Sequence, residues 1–415
     1  MTDSVLIAGG GIAGLAAAVG LARAGWQPTV CERAPAFSEV GAGVQLGPNV
    51  TRFLRAWGAE GSLAQVGFQP ESLLARDLHS GEVLATLSLK DAQRRYGSPY
   101  VTVHRADLHG LLLQLAQSQN VVLHNDQQVQ QLHHQPNGVL AQFSNGEANS
   151  SHQMAVVADG VWSQLRQQLL SDGAAIFTGH VAYRALIKQA DLPAALRTQD
   201  VSVWMGPHAH VVHYPVRGGE WLNVVCLVEA VPSEVEWSTQ QNNQTPEAWQ
   251  SLQSWNTQQT FAQTQQSLQH ALRGAYSHLQ QLIEHGTDWR LWPLCGRSPM
   301  KGAHEHAIGR VALIGDAAHP MLPYLAQGAG MAIEDAFELA HHVPTHANAD
   351  VQQGLLRFAQ ARWQRNARVQ QRAMRNGNIF HAQGPLRFAR DMGLRALGAR
   401  LMDVPWLYGY NAGKL

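Results

Sequence analysis

Gly9-x-Gly11-x-x-Gly14 stands directly after an apolar run, Val5–Ala8, and opens a helix-like stretch from Ile12 to Ala24. Glycines at this spacing permit a tight turn, close approach of backbone to a pyrophosphate, and close packing of helix on strand. The helix N-terminus turns free N–H groups and the positive end of its dipole toward phosphate. Glu32 closes a second run, Gln27–Cys31, where a carboxylate can accept from ribose hydroxyls. This is dinucleotide-binding chemistry, and the motif alone does not separate NAD from FAD. A glycine-rich turn without a ligand would leave Glu32 unexplained.

Two further motifs follow in order. Asp159-Gly160-x-x-Ser163-x-x-Arg166 comes after the run Met154–Ala158. Gly315-Asp316-Ala317-Ala318-His319-Pro320 comes after Arg310–Ile314 and runs through Gln327-Gly328-Ala329-Gly330 into another helical stretch. A strand ending in an aspartate places a carboxylate at the sheet's C-terminal edge, within reach of a polyol. The helix behind it favours negative charge at its start. Either motif by itself could be an ordinary turn with a capping aspartate; three in this order argue for a bound nucleotide. Among the 21 histidines, His210 is four residues before Tyr214. On a strand these two share a face with Val212, whereas Val211 and His213 point the other way.

The elements that must position these groups are legible from pattern. Val5–Ala8, Ile12–Ala24 and Gln27–Cys31 form a βαβ opening. Arg105–Gln117 has helical spacing, and Val121–Leu123 and Met154–Ala158 read as strands returning to the first sheet. Val201–Met205, Val211–Val216 and Leu222–Val228 read as an antiparallel meander. Gly309–Ile314 reads as a strand, and Gly328–His341 and Val351–Arg372 as helices. The glutamine-heavy Pro232–Gln281 reads as a polar-faced helix pair, with Trp249, Leu252 and Trp255 at helical spacing.

Composition narrows the classes. Charged residues make up only 14% of 415, and 30 Lys plus Arg balance 30 Asp plus Glu. Zero net charge argues against a nucleic-acid partner held by counterion release. The 45% hydrophobic content argues against a disordered chain. Ser4–Ala22 has no charged residue and imitates a signal peptide or membrane span, but Asp3 precedes it and five glycines punctuate it. The expectation is a cytoplasmic protein without a membrane partner. Three distant cysteines, Cys31, Cys226 and Cys295, imply neither disulfides nor a metal site and read as buried thiols.

The motif order, with Gly41-Ala42-Gly43-Val44-Gln45-Leu46-Gly47-Pro48-Asn49, His319–Gly328 and the terminal Trp406-Leu407-Tyr408-Gly409-Tyr410, resembles the single-component FAD-dependent aromatic hydroxylases related to para-hydroxybenzoate hydroxylase. It is most similar to their salicylate, 3-hydroxybenzoate (6-hydroxylating) and 6-hydroxynicotinate branch. The resemblance implies an α/β fold: a Rossmann-like FAD-binding domain, an inserted antiparallel substrate sheet and C-terminal helices. The expected boundaries are 1–175 and 291–350 for the FAD-binding parts, 176–290 for the substrate domain, and 351–415 for the helical region.

By the same resemblance, Gly9, Gly11, Ile12, Ala13 and Gly14 hold the FAD pyrophosphate and Glu32 the adenosine ribose. Arg33 lies near the adenine end, Val129 offers backbone to adenine, and Arg105 reaches the ribityl and phosphate groups. Gly43 and Val44 line the cofactor, Asp159 belongs to a motif tied to FAD and NAD(P)H, and Asp316 binds ribityl hydroxyls. Gly328, Ala329, Gly330 and Met331 present amides to the flavin pyrimidine edge. His210 is the expected base for a phenol, Tyr214 its orienting partner, and Pro320 a wall on the flavin face where a C4a-hydroperoxide forms. Gln45, Arg184, Pro323 and Tyr324 line the substrate. NADH or NADPH and O2 are the expected co-substrates, and a homodimer is compatible with the family. Pro323 departs from the glutamine of the 6-hydroxylating branch, which leans toward salicylate- or hydroxynicotinate-type pockets. A flavin oxidoreductase without oxygen insertion is the competing reading.

Overall fold

The computed structural model describes residues 3–37, 41–144, 146, 148–229, 261–343, 345 and 350–412. At its centre is a six-stranded sheet in the order Ala307–Ile308, Val311–Leu313, Met154–Val157, Ser4–Ala8, Gln27–Cys31, Val122–His124. All pairings are parallel except the first. Parallel strands covered on both faces need apolar side chains throughout. Met154–Val157 and Val311–Leu313 are buried along their whole length, as their unbroken apolar sequences require.

The helix Ile12–Arg23 lies against this sheet, with Ile12 and Gly14–Leu21 all buried. Helix Gly328–His342 packs on it so closely that a Cβ on Gly20 would come 3.0 Å from the Ala336 carbonyl oxygen. The uncharged run that imitates a membrane span is therefore a strand of the sheet, a glycine turn and a helix packed between sheet and helix. No helix among the described residues is long and apolar enough to cross a membrane.

A second sheet has seven strands in the order Arg290–Gly296, Ile176–Lys188, Trp221–Glu229, Ala209–Val216, Val201–Gly206, Ser72–Asp77, Val83–Ser88. The expected meander forms its middle. The last two strands come from far earlier in the chain, and one of them pairs parallel with Val201–Met205. The domain expected to start at residue 176 thus shares its sheet with residues 72–88. One face of this sheet packs against helices Phe261–Ala271 and Ser277–Glu284, where Leu268, Leu272, Leu279, Leu282 and Ile283 meet Tyr183, Val211 and Cys226. Those helices are the end of the glutamine-rich segment; Trp249, Leu252 and Trp255 lie outside the described residues. The other face looks toward the first sheet. Helix Val351–Phe380 runs eight residues beyond its expected end and, with Gly384–Leu397, closes the open side. Cys31 and Cys226 are buried and Cys295 half-buried, none of them in a disulfide among the described residues, and the Cys31 thiol donates to Gln127 at 3.1 Å.

Candidate active site

The three glycine and aspartate motifs converge at the C-terminal edge of the parallel sheet. Gly9 has φ +106°, and a Cβ there would stand 2.5 Å from the Ala158 carbonyl oxygen and 3.0 Å from Asp159 Cα. A Cβ on Gly14 would fall 1.9 Å from the Gly9 carbonyl oxygen. Gly315, at φ +56°, leaves room for Ala13, whose Cβ would otherwise be 2.7 Å away. Backbone at these points has been kept bare of side chains, which is what a pyrophosphate needs. Gly11 caps the helix with its carbonyl bonded to the Leu15 N–H.

Glu32 is half-buried and its carboxylate accepts from the Gly10 N–H (2.7 Å) and the Ala34 N–H (2.9 Å). A carboxylate has four acceptor sites, so two remain for ribose hydroxyls. Val129 begins a three-stranded sheet and packs with Cys31 beside the end of Glu32's strand. Arg33 is exposed and its charge faces Asp159. Asp159 carries the clearest mark of a missing ligand. Its Oδ1 is buried without a hydrogen bond, and burial raises its pKa to about 6. Asp316 is exposed at the mouth of the crevice.

Arg166, by contrast, is structural. Its guanidinium donates to Asp172 (2.8 Å), to Glu305 (2.9 Å), and to the carbonyls of Ala317 and Ala318. It latches the second motif to the third. Ser163 caps the intervening helix by accepting from the Arg166 N–H at 2.9 Å.

Helix Gly328–His342 starts with no acidic residue and no side-chain cap in its first turn, and a Cβ on Gly328 would meet nothing within 4 Å. The amides of Gly328, Ala329 and Gly330 in its first turn are available to an anionic ring edge, whereas Met331, expected to join them, donates its N–H to the Gln327 carbonyl at 2.8 Å. Behind it lies a fully buried ionic network. Arg362 donates to Asp335 (2.8 Å) and Glu334 (2.8 Å), Arg365 donates to Glu334 (2.6 Å), and Asn366 donates to Asp335 (2.9 Å). His319 pairs with Asp335 and Asn49 donates to Glu334 at 2.8 Å. His306 bridges the Leu313 carbonyl and Asn366, so its two nitrogens are committed.

On the substrate side, strand Ala209–Val216 starts earlier than expected and includes His210. Its register aligns His210 with Leu227, Val212 with Val225 and Tyr214 with Asn223, while Arg184 sits across from Val225 on the next strand. His210, Tyr214, Arg184 and Asn223 therefore share one face. His213 lies on the opposite one beside Trp204, and burial lowers its pKa to about 3. Tyr214 is 3% exposed; its hydroxyl bonds Gln45, which also accepts from Tyr100 at 2.7 Å. Gly43 lets the Tyr214 ring close in, since a Cβ would be 2.6 Å from Cε2, and its N–H donates to Asn223 at 2.7 Å. Met331 and Tyr214 belong to one apolar cluster, which joins this face to the start of the flavin-edge helix. Val44 and Ala329, both half-buried, pack at the rim of the nucleotide core. Arg105 opens its helix against Gly41 and its charge acts on Arg184.

Arg184 has no ion pair among the described residues. Its Nε is buried without a partner, its plane lies 5.7 Å over Trp292, and burial lowers its pKa to about 10. Asn223 is 0% exposed with Nδ2 unpartnered. Pro320 is buried with its carbonyl accepting from Gln370, and half-buried Pro323 opens the turn that carries Tyr324. Tyr324 packs 5.1 Å from the His210 ring and its hydroxyl is also unpartnered.

Three site residues escaped the sequence reading: Asn223, His180 and His381. Asn223 could have been found by counting strand parity from Tyr214 once the meander was drawn. His381 could not, because it arrives from a helix end 171 residues away to lie 2.8 Å from His210.

An FAD-binding-domain family model matches residues 2–375. The chain is 35% identical over 414 residues to 3-hydroxybenzoate 6-hydroxylase 1 of Aquipseudomonas alcaligenes, covering 99% of this chain and 98% of the relative. It is 33% identical over 333 residues to 6-hydroxynicotinate 3-monooxygenase of Bordetella bronchiseptica, covering 80% of each. Among solved structures, a salicylate hydroxylase substrate complex superposes with TM-score 0.78 at 25% identity, over 99% of this chain and 96% of that one. With the glycine cradle, the orphaned Asp159 oxygen and the uncapped helix all suited to a flavin dinucleotide, the chain belongs to the FAD-binding-domain family, among the FAD-dependent aromatic hydroxylases.

Proposed function

We propose that this protein is an NAD(P)H-dependent monooxygenase that hydroxylates a small phenolic or hydroxy-heteroaromatic acid. The observation that carries the reading is the shared sheet face. A half-buried guanidinium with no ion pair among the described residues (Arg184), a buried imidazole (His210) and a tyrosine hydroxyl beside Gln45 (Tyr214) share one face of the sheet. A cation drawn partly out of water without a counter-ion loses hydration that an anionic ligand makes good. A hydroxybenzoate or hydroxynicotinate brings such a carboxylate.

FAD would be held by the Gly9–Gly14 turn, Glu32, Asp159, Asp316 and the first turn of Gly328–His342. When bound and reduced by NADH or NADPH, it supplies the oxygen-activating chemistry. The protein's own part is to make the ring electron-rich. His210 takes the phenol proton at Nε2, because its Nδ1 is engaged with His381. Deprotonation raises ring electron density ortho and para to the oxygen. Tyr214, fixed by Gln45, aligns the hydroxyl, and Arg184 anchors the carboxylate. Pro320 and Tyr324 exclude water from the reacting face.

The test is NADH oxidation by the flavin-loaded protein with 3-hydroxybenzoate, salicylate and 6-hydroxynicotinate. Stimulated oxidation with a product one oxygen heavier supports the reading. Flavin turnover with a product of unchanged oxygen content would instead make the protein an oxidoreductase without insertion.

A further inference from the structure

A base enclosed in protein must send its proton somewhere, and His210 is only 1% exposed. Its Nδ1 is 2.8 Å from His381 Nε2; His381 Nδ1 is 3.2 Å from Glu229 Oε1; Glu229 Oε2 is 2.5 Å from His208 Nδ1. Side-chain exposure rises along this series, from 4% at His381 to 39% at Glu229 and 60% at His208. The four groups come from the start of strand Ala209–Val216 and the turn before it, the end of strand Trp221–Glu229, and the C-terminus of the long helix. Nothing in fold stability requires hydrogen-bonding groups of these types to line up from the crevice to water. Apolar residues would fill the same space with less desolvation cost.

We propose that His381 and Glu229 form a proton exit that connects the His210 base to solvent at His208. This rests on the reading of His210 as the base for a bound phenol. As the phenol O–H bond breaks, its proton goes to His210 Nε2. The Nδ1 proton of His210 passes to His381 Nε2, and the Nδ1 proton of His381 passes to Glu229. From there it leaves through His208 or water. Each step breaks one N–H or O–H bond and forms another, so both imidazoles end neutral as their other tautomers, and the same chain run in reverse resets them when the product phenolate takes the Nε2 proton back. His381 and Glu229 touch neither substrate nor flavin and act only through His210.

The chemistry of the links fits. His210 faces His381, His180 and Tyr324; His381 faces His180, His210, Glu229 and Tyr324; Glu229 faces His208 and His381. Burial and the neighbouring imidazoles keep His210 and His381 neutral, with His381 lowered to about 4. Neutral imidazoles pass protons without holding charge in the crevice.

The test uses flavin-loaded protein with an aromatic acid that stimulates the wild type. Glu229→Gln preserves shape and hydrogen bonding at a half-exposed position but cannot carry the proton. His381→Ala opens a space that free imidazole can enter. The expected result is a fall in kcat of about 10²-fold for His381→Ala and less for Glu229→Gln, with KM nearly unchanged. Added imidazole should restore His381→Ala, and the pH profile of kcat should move in both variants. Wild-type kcat and pH profile in both variants overturn the relay alone. So does a loss in His381→Ala that imidazole does not rescue, with Glu229→Gln unaffected. A wild type that no aromatic acid stimulates overturns the base assignment and the relay with it.

Discussion

Two buried polar regions flank the flavin-edge helix and are built on opposite terms. Behind the helix, Glu334, Asp335 and Arg362 are fully buried, and the charges are matched by partners at 2.6–2.9 Å. In front of it, Arg184 Nε, Asn223 Nδ2 and the Tyr324 hydroxyl are buried with nothing to bond. Buried polar groups are normally satisfied, so the first region shows what this fold does when a network serves stability. The second holds polar atoms that, on the proposed reading, a ligand would satisfy. The contrast holds for the charges: in the first region the unpartnered atoms are neutral ones, Asn49 Oδ1 and His319 Nδ1.

The comparison can be broken most forcefully at Arg362. Replacing it with leucine strips the guanidinium from buried Asp335 and one of two from Glu334, and stability should fall by about 3–5 kcal/mol in denaturant unfolding. A change under about 1 kcal/mol would mean the network is not what holds the helix. His210→Gln tests the other side. It should lower kcat by at least about 10²-fold while leaving the unfolding midpoint close to wild type. Equal losses of rate and stability would place His210 with the structural groups.

Arg184→Leu should do the reverse of Arg362→Leu. Stability should hold or rise, and substrate binding should weaken by about 1.5–3 kcal/mol, roughly 10- to 150-fold, as a charge-assisted hydrogen bond is lost. Titration of substrate into the oxidised holoprotein measures it, and unchanged affinity would remove Arg184 from the site. A smaller effect separates the two regions by pH. Burial lowers the pKa of His306 to about 4, below its unfolded value near 6.5. The unfolded chain then binds a proton that the native one does not, so stability should decline as pH falls from about 6.5 to 4. Unfolding midpoints that stay flat across that window would contradict it. The least effect is expected at His213, on the far face. His213→Leu should leave turnover unchanged and stability within about 1 kcal/mol.

The nucleotide half of the molecule was nearly transparent in the sequence. Its glycines, Glu32 and the two aspartates are bound by local geometry: a turn, a strand end, a helix start. Such constraints act over a few residues and leave a spaced signature. The substrate half was legible only in part. His210, Tyr214 and His213 could be sorted by strand parity, and the register agrees. Strands Ser72–Asp77 and Val83–Ser88 were missed because their place beside Val201–Gly206 is a long-range pairing with no local mark. The latch made by Arg166 had no local mark for the same reason, since its partners Ala317 and Ala318 lie 151 and 152 residues on. His381 sits at a helix end whose destination is decided by packing alone.

The order of strands in the parallel sheet also governs how the molecule must be made. Met154–Val157 is a wholly apolar strand, and its outer edge is covered only when Val311–Leu313 pairs with it. During synthesis that edge waits for about 150 more residues, on the order of 10–30 s of translation. Through that interval the newborn chain carries an open, sticky border that could pair with another chain. The third motif of the nucleotide site arrives with the same late strand, so a chain halted within the intervening segment lacks Gly315, Asp316 and the flavin-edge helix altogether.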